Sequence, residues 1–113
     1  MDERGEIYDL VEGEIRHIGI VTFAPGAVRG QHYHKRSTQY TYVLRGRLEL
    51  RTRAIDGPST VETHVLGPGD LATVPAMTIH VFRALEPSSI MDATTLARGR
   101  SGYEEDTVRV ESF

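Results

Sequence analysis

His32-Tyr33-His34 sets two imidazoles at i and i+2, and on a β-strand that interval turns both to one face. Two imidazoles on one face begin a metal site, because the neutral ring is the commonest protein ligand for first-row transition metals. Gln39 lies five residues past His34, an odd interval that would turn it away on a continuous strand. Lys35-Arg36-Ser37-Thr38 reads as a break that resets the alternation, so the amide oxygen can turn back toward the pair. His80 comes far later, on a strand of its own, and a barrel is the architecture that returns it to the others. Three imidazoles and one oxygen suit zinc, iron, manganese, nickel or copper better than magnesium or calcium, which take mostly oxygen. The expected cofactor is one divalent transition metal ion on His32, His34, His80 and Gln39. The alternative is a set of polar lumen residues without metal, with Gln39 a hydrogen-bonding amide behind them. The chain has no cysteine, which excludes disulfides and thiolate sites.

The elements that would position these residues read as short strands. Eleven glycines and five prolines punctuate runs rich in β-branched residues, the pattern of an all-β barrel or sandwich. Expected strands run from Glu14 to Phe23, then over Gln39 to Arg53 with a break near Arg45-Gly46-Arg47. In the second half of that run Leu48 and Leu50 alternate with Glu49, Arg51 and Arg53, which makes one face wet. Further strands are expected at Thr60 to Leu66, Leu71 to Pro75, His80 to Leu85 and Ile90 to Ala97, joined by loops at Asp56-Gly57-Pro58-Ser59, Gly67-Pro68-Gly69-Asp70 and Glu86-Pro87-Ser88-Ser89. Seven or eight short strands fit a closed or nearly closed antiparallel barrel, which removes exposed edges. Arg98 to Phe113 is polar and acidic and reads as a solvated tail, with Gly102-Tyr103-Glu104-Glu105-Asp106 exposed. The expectation is one domain over 1–113, with a core at about 14–97.

The spacing resembles a known family. Gly26, five residues, His32, one residue, His34, four residues, Gln39, six residues, Gly46 is similar to the first cupin motif, with Gln where the family usually has Glu. Gly69, five residues, Pro75, one residue, Met77, two residues, His80, three residues, Ala84 is similar to the second, with Met77 where Gly is usual and Ala84 where Asn is usual. The resemblance covers Gly26 to Ala84. It implies a double-stranded β-helix, the jelly-roll barrel of the cupins, with a metal inside the wider mouth. It names no reaction, because one fold hosts many chemistries. A neutral Gln39 leaves the site about one unit more positive than a carboxylate would, which favours anionic or chelating ligands. Met77 is expected to narrow the pocket or to repack the loop.

A shorter resemblance joins Asp2-Glu3-Arg4-Gly5 and Val28-Arg29-Gly30-Gln31-His32-Tyr33-His34-Lys35 to cupins that isomerise or epimerise nucleotide-linked deoxysugars and to the terminal cupin domain of some capsular-polysaccharide reductases. It implies that Arg29 holds an anionic group and that His32 or His34 moves a proton beside a ketone. Metal-bound imidazoles have their lone pairs engaged. The proton would then pass to a metal-activated water, or to Tyr33 or Tyr42. The expected function is therefore a metal-dependent isomerase or epimerase on a small carbohydrate-like or carbonyl substrate. Catalysis would rest on His32, His34 and Tyr42, and substrate binding on Arg29, Tyr33 and Met77. A non-haem iron dioxygenase and a non-catalytic ligand-binding or sensing cupin are the alternatives.

The formal net charge of -3, with both signs mixed along the chain, argues against nucleic acid or an anionic membrane as partner. No signal-like or membrane-spanning run is present, and a cytoplasmic protein is expected. His17 and His64 fall outside both motifs and read as ordinary strand positions; Lys35 reads as a solvated charge. If Gln39 faces the lumen, Tyr40, Tyr42 and Leu44 face out and form an apolar patch. A homodimer through that sheet face is expected, with a small molecule in the barrel.

Overall fold

The computed structural model describes residues 3–57, 60–97 and 105–111. Asp2 of the N-terminal signature, Pro58-Ser59 of the expected loop and Gly102-Tyr103-Glu104 of the expected tail lie outside the described residues. Among the described residues nine strands follow one another in chain order: β1 His17–Phe23, β2 Val28–His34, β3 Gln39–Arg45, β4 Leu48–Ala54, β5 Glu62–Leu66, β6 Leu71–Val74, β7 Thr78–Ala84, β8 Ser88–Thr94 and β9 Thr107–Arg109. Their pairings are antiparallel, in a four-stranded sheet of order β1-β8-β3-β6 and a five-stranded sheet of order β5-β4-β7-β2-β9. This is the jelly-roll arrangement that the resemblance implies. The two sheets face each other, and a gap of about 570 Å³ opens along the β5 and β6 edges between Leu50, Leu66 and Val74. No helix among the described residues is long and apolar enough to cross a membrane.

Alternation fixes which side chains face inward. On β3, Gln39, Thr41 and Val43 are buried, while on β4 Leu48 and Leu50 are. With Phe23, Phe82, Ala84 and Ile90 the apolar residues of this set make one core cluster between the sheets. The expected strand ends shift by a few residues. β6 stops at Val74, before Pro75, which has no N–H to give the ladder. β7 begins at Thr78, two residues before His80.

A bulge in β2 sets the register that matters for the site. Val28 to Gly30 pair with Arg83 to Val81, a register in which Gln31 would face His80; one extra residue intervenes, and His32 pairs with His80 instead. Gly30 makes the bulge possible, at φ +101 with its Cα so close to β7 that an added Cβ would stand 2.8 Å from the His80 carbonyl oxygen. Gln31, the inserted residue, takes φ +62.

The polar tail contains a strand. β9 pairs with β2, placing Thr107 opposite His34, Val108 opposite Tyr33 and Arg109 opposite His32. Gln31 Nε2 donates to the carbonyls of Val110 and Glu111 and ties this segment down. Asp106, expected in solvent, is 3% exposed. Its carboxylate accepts from the Arg36 amide at 2.7 Å and the Ser37 hydroxyl at 2.5 Å. A carboxylate that meets two donors in the β2–β3 connection no longer needs water, which is why an acidic segment can bury there.

Candidate metal centre

His32 and His34 extend inward from β2, and His80 from β7 beside it. The three rings meet, with centroids 4.6 Å apart for His32 and His80, 5.0 Å for His32 and His34, and 5.2 Å for His34 and His80. One ring nitrogen from each lies within 4.8 Å of the other two. All three residues are buried. Gln39 arrives from the opposite sheet, as the first residue of β3, and its Oε1 stands 3.1 Å from His34 Nε2. The turn at 35–38 does reverse the alternation, since Gln39 is 7% exposed and faces the histidines.

The donor set suits a divalent transition metal. Atoms bound at about 2.1 Å to one ion lie about 3 to 4 Å from one another, so the Gln39–His34 separation already has the required scale. Two of the rings have their other nitrogen directed elsewhere. His80 Nδ1 faces the Thr78 carbonyl at 3.2 Å and, as donor to it, leaves Nε2 with its lone pair. His34 Nδ1 stands 3.1 Å from Thr107 Oγ1 and 3.6 Å from Asp106 Oδ2. Contacts of this kind would orient the rings of ligating histidines if an ion were bound. Burial holds the His80 ring neutral, with its pKa lowered to about 4; the hydrogen bond to Thr78 opposes the shift and nearby His34 adds to it. Burial alone would raise Asp106, but the Ser37 hydroxyl, the Arg36 amide and the His34 imidazole together hold its carboxyl below the ordinary value.

The histidines line a cavity of about 370 Å³ between the sheets. Phe23, Phe82 and Ile90 connect it to the core, and Arg29, Arg109, His17, Gln39, Asp92 and Thr94 supply its polar wall. Arg29 stacks over Phe23, with its guanidinium 5.4 Å from the ring centre, and donates to the Thr22 carbonyl at 3.2 Å. Lys35 is exposed and not among the lining residues; His64 lines the other gap, on β5.

Three residues expected at the substrate are not brought to this cavity. Tyr42 sits between buried Thr41 and Val43 and therefore points out of the four-stranded sheet. Tyr33, between the two histidines, points out of the other sheet and pairs with Val108. Met77 lies in the turn before β7, and its amide donates to the His34 carbonyl at 2.7 Å. It holds φ +62, the left-handed region that glycine enters without cost, which explains a position where the family usually has Gly. Conversely, His17, Asp92, Thr94 and Arg109 line the cavity and were not expected to. His17 shares the inward parity of Val21 and Phe23, and Asp92 that of Ile90. Parity alone did not mark either residue, because apolar side chains occupy both faces of these two strands; Arg109 had no periodic signal either.

Comparison with known proteins agrees with the geometry. No curated protein matches this chain. Among solved structures, the capsular polysaccharide assembling protein CapF from Staphylococcus aureus superposes with a TM-score of 0.75 at 14% identity, covering 87% of this chain and 27% of that one. A dTDP-4-dehydrorhamnose 3,5-epimerase from Sulfolobus tokodaii superposes at 0.73 with 17% identity, covering 96% of this chain and 70% of that one. An oxalate oxidase superposes at 0.68 with 20% identity, covering 82% and 45% respectively. The chain thus spans under a third of the CapF chain and under half of the oxidase. At these identities the likeness speaks for the fold alone. The Cupin domain family model matches residues 19–94, a stretch that contains all three histidines and Gln39, and the chain belongs to the cupin family.

Proposed function

We propose that this protein is a metal-dependent cupin that moves a proton on a small anionic carbonyl compound, as an isomerase or epimerase. The observation that carries this reading is the convergence of three buried imidazoles with two rim arginines in one cavity of about 370 Å³. A divalent ion held by His32, His34, His80 and Gln39 would supply Lewis acidity toward a carbonyl or hydroxyl oxygen. Those four ligands are neutral and leave the ion's charge uncancelled. Arg29 and Arg109 add two positive charges to the wall, against the single carboxylate of Asp92. An anionic ligand is favoured on both counts. His17 is the group suited to hold the moving proton: its ring lines the cavity away from the three histidines' strands, and its buried Nδ1 has no hydrogen-bond partner among the described residues. It takes the place that Tyr33 and Tyr42 were expected to fill. The superposition on a sugar epimerase is compatible with this chemistry. The reading includes a cytoplasmic homodimer that joins through the outer face of the four-stranded sheet and binds neither nucleic acid nor membrane.

The test loads metal-stripped protein with zinc, manganese or iron(II). It then follows deuterium uptake from heavy water into the C–H bonds beside the carbonyl of small 2-oxo acids and sugar phosphates by NMR. We expect one ion per chain, and loss of both the ion and at least about 100-fold of the exchange in His32→Ala. Full exchange by stripped wild-type protein would end the Lewis-acid role. Dioxygen consumption by the iron form would favour an oxygenase, and tight ligand binding without exchange a sensing module.

A further inference from the structure

A glutamine is an ambiguous metal ligand, because its two terminal atoms differ little in size and only the oxygen can coordinate. The structure contains a device that removes the ambiguity. Gln39 Nε2 donates to Thr41 Oγ1 at 3.1 Å and to Asp92 Oδ1 at 3.3 Å, while the Thr41 hydroxyl donates to the same Asp92 oxygen at 2.6 Å. Thr41 has one hydroxyl proton, and the short bond to Asp92 uses it. Its oxygen therefore meets Gln39 as an acceptor, and so does the carboxylate. Both neighbours demand the NH₂ end of the amide. The reversed amide would set its oxygen against the carboxylate oxygen, in a site where Thr41 is fully buried and Gln39 nearly so. The end left for the histidines is Oε1, which is where the 3.1 Å approach to His34 Nε2 places it.

We infer that Asp92 is a positioning residue that makes Gln39 serviceable as a metal ligand, acting directly and through Thr41. The inference rests on the metal reading proposed above. Two neighbouring strands cooperate in it: β3 supplies Gln39 and, two residues on and on the same face, Thr41, while β8 brings Asp92 opposite Thr41 in register. β7 and β2 supply the imidazoles toward which the amide is turned. A carboxylate ligand at position 39 would need no such device, since either of its oxygens can coordinate.

That asymmetry gives the test. Zinc affinity is measured by competition with a chromophoric chelator, and the ligand set by the visible spectrum of the cobalt(II) form, for wild type, Asp92→Ala, Gln39→Glu and the double variant. Loss of an outer partner of a ligand typically weakens metal binding about 10- to 100-fold. We expect that loss for Asp92→Ala in the wild-type background, with a changed cobalt spectrum. In the Gln39→Glu background, where Asp92→Ala removes an adjacent like charge, we expect under about threefold loss, or a gain. Equal losses in both backgrounds would overturn the inference, because a structural role or a simple attraction of the cation by Asp92 costs affinity whichever residue stands at 39. Should Asp92→Ala fail to fold, Thr41→Val removes an acceptor from Gln39 with almost no change of shape, and the same dependence on background is expected. Wild type that takes up no zinc or cobalt would overturn the metal reading and this inference together. Equal losses overturn only the second.

Discussion

His80 is 1% exposed, and its burial has a consequence for stability that can be signed. Its pKa lies at about 4 in the folded chain against an ordinary 6.5. Between those values the unfolded chain holds a proton on this ring that the folded chain does not. The unfolded state is the one favoured by added acid, so the contribution is full above pH 6.5 and is lost as pH falls toward 4. A shift of this size is worth on the order of 3 kcal/mol. Asp106 acts in the same direction lower down: its depressed carboxyl stabilises the fold above the ordinary carboxylate range and loses that effect as acid protonates it. Urea midpoints of the metal-free protein should therefore be level from about pH 8 to about 6.5 and fall steeply below. A midpoint unchanged at about pH 5 would contradict the burial of this ring. The candidate metal-site residues were legible in the sequence because His32 and His34 share one face of a strand, the break at 35–38 turns Gln39 toward them, and His80 sits at the spacing of the second motif. Asp92 and His17 were not, for a physical reason. In Ile18-Gly19-Ile20-Val21 and Ile90-Met91-Asp92-Ala93 apolar residues occupy both faces, so alternation does not distinguish inside from outside.

The turns decide whether the strands can present those faces. Gly46 joins β3 to β4 at φ +93, and a Cβ there would overlap Ser88 Oγ and stand 2.5 Å from the Pro87 carbonyl oxygen. Backbone on that side cannot retreat, because Ser88 Oγ also receives the Arg47 amide at 3.1 Å. Gly46→Ala combines a left-handed backbone with a steric overlap, and should cost about 3 kcal/mol or more, read from chemical denaturation. Gly67→Ala, with nothing within 4 Å of the added carbon, is the control expected to cost under about 1 kcal/mol. The element that sequence patterns could not reveal is β9. Three residues are too short to show a period, and their flanks are acidic and polar. What makes the strand is the free edge of β2 together with buried partners for Asp106 in Arg36 and Ser37, and such tertiary demands are written in no local propensity.

At the scale of the whole molecule, the two faces of the four-stranded sheet have opposite characters. Its inner face carries Gln39, Asp92 and Thr94. Its outer face exposes Ile18 and Ile20 on β1 at 62% and 69%, and Leu71 on β6 at 37%, with Tyr40, Tyr42 and Met91 between them on β3 and β8. An apolar stripe crossing all four strands is more than scattered surface residues and is what a self-complementary interface requires. We expect sedimentation to give a dimer for wild type and a monomer for Ile20→Asp, with zinc content unchanged. A monomeric wild type at high protein concentration would refute the interface.

The strand that completes the cavity wall is also made after all the others described. Thr107 and Asp106 back His34, and Arg109 stands beside His32, so a nascent chain that has already paired β1 to β8 still lacks the partners that orient His34. On the metal reading proposed above, full affinity for an ion would then be reached only in a polypeptide elongated past β9. Loss of the 105–111 segment by proteolysis would remove the partners of His34 Nδ1 and, on that same reading, weaken the hold on an ion.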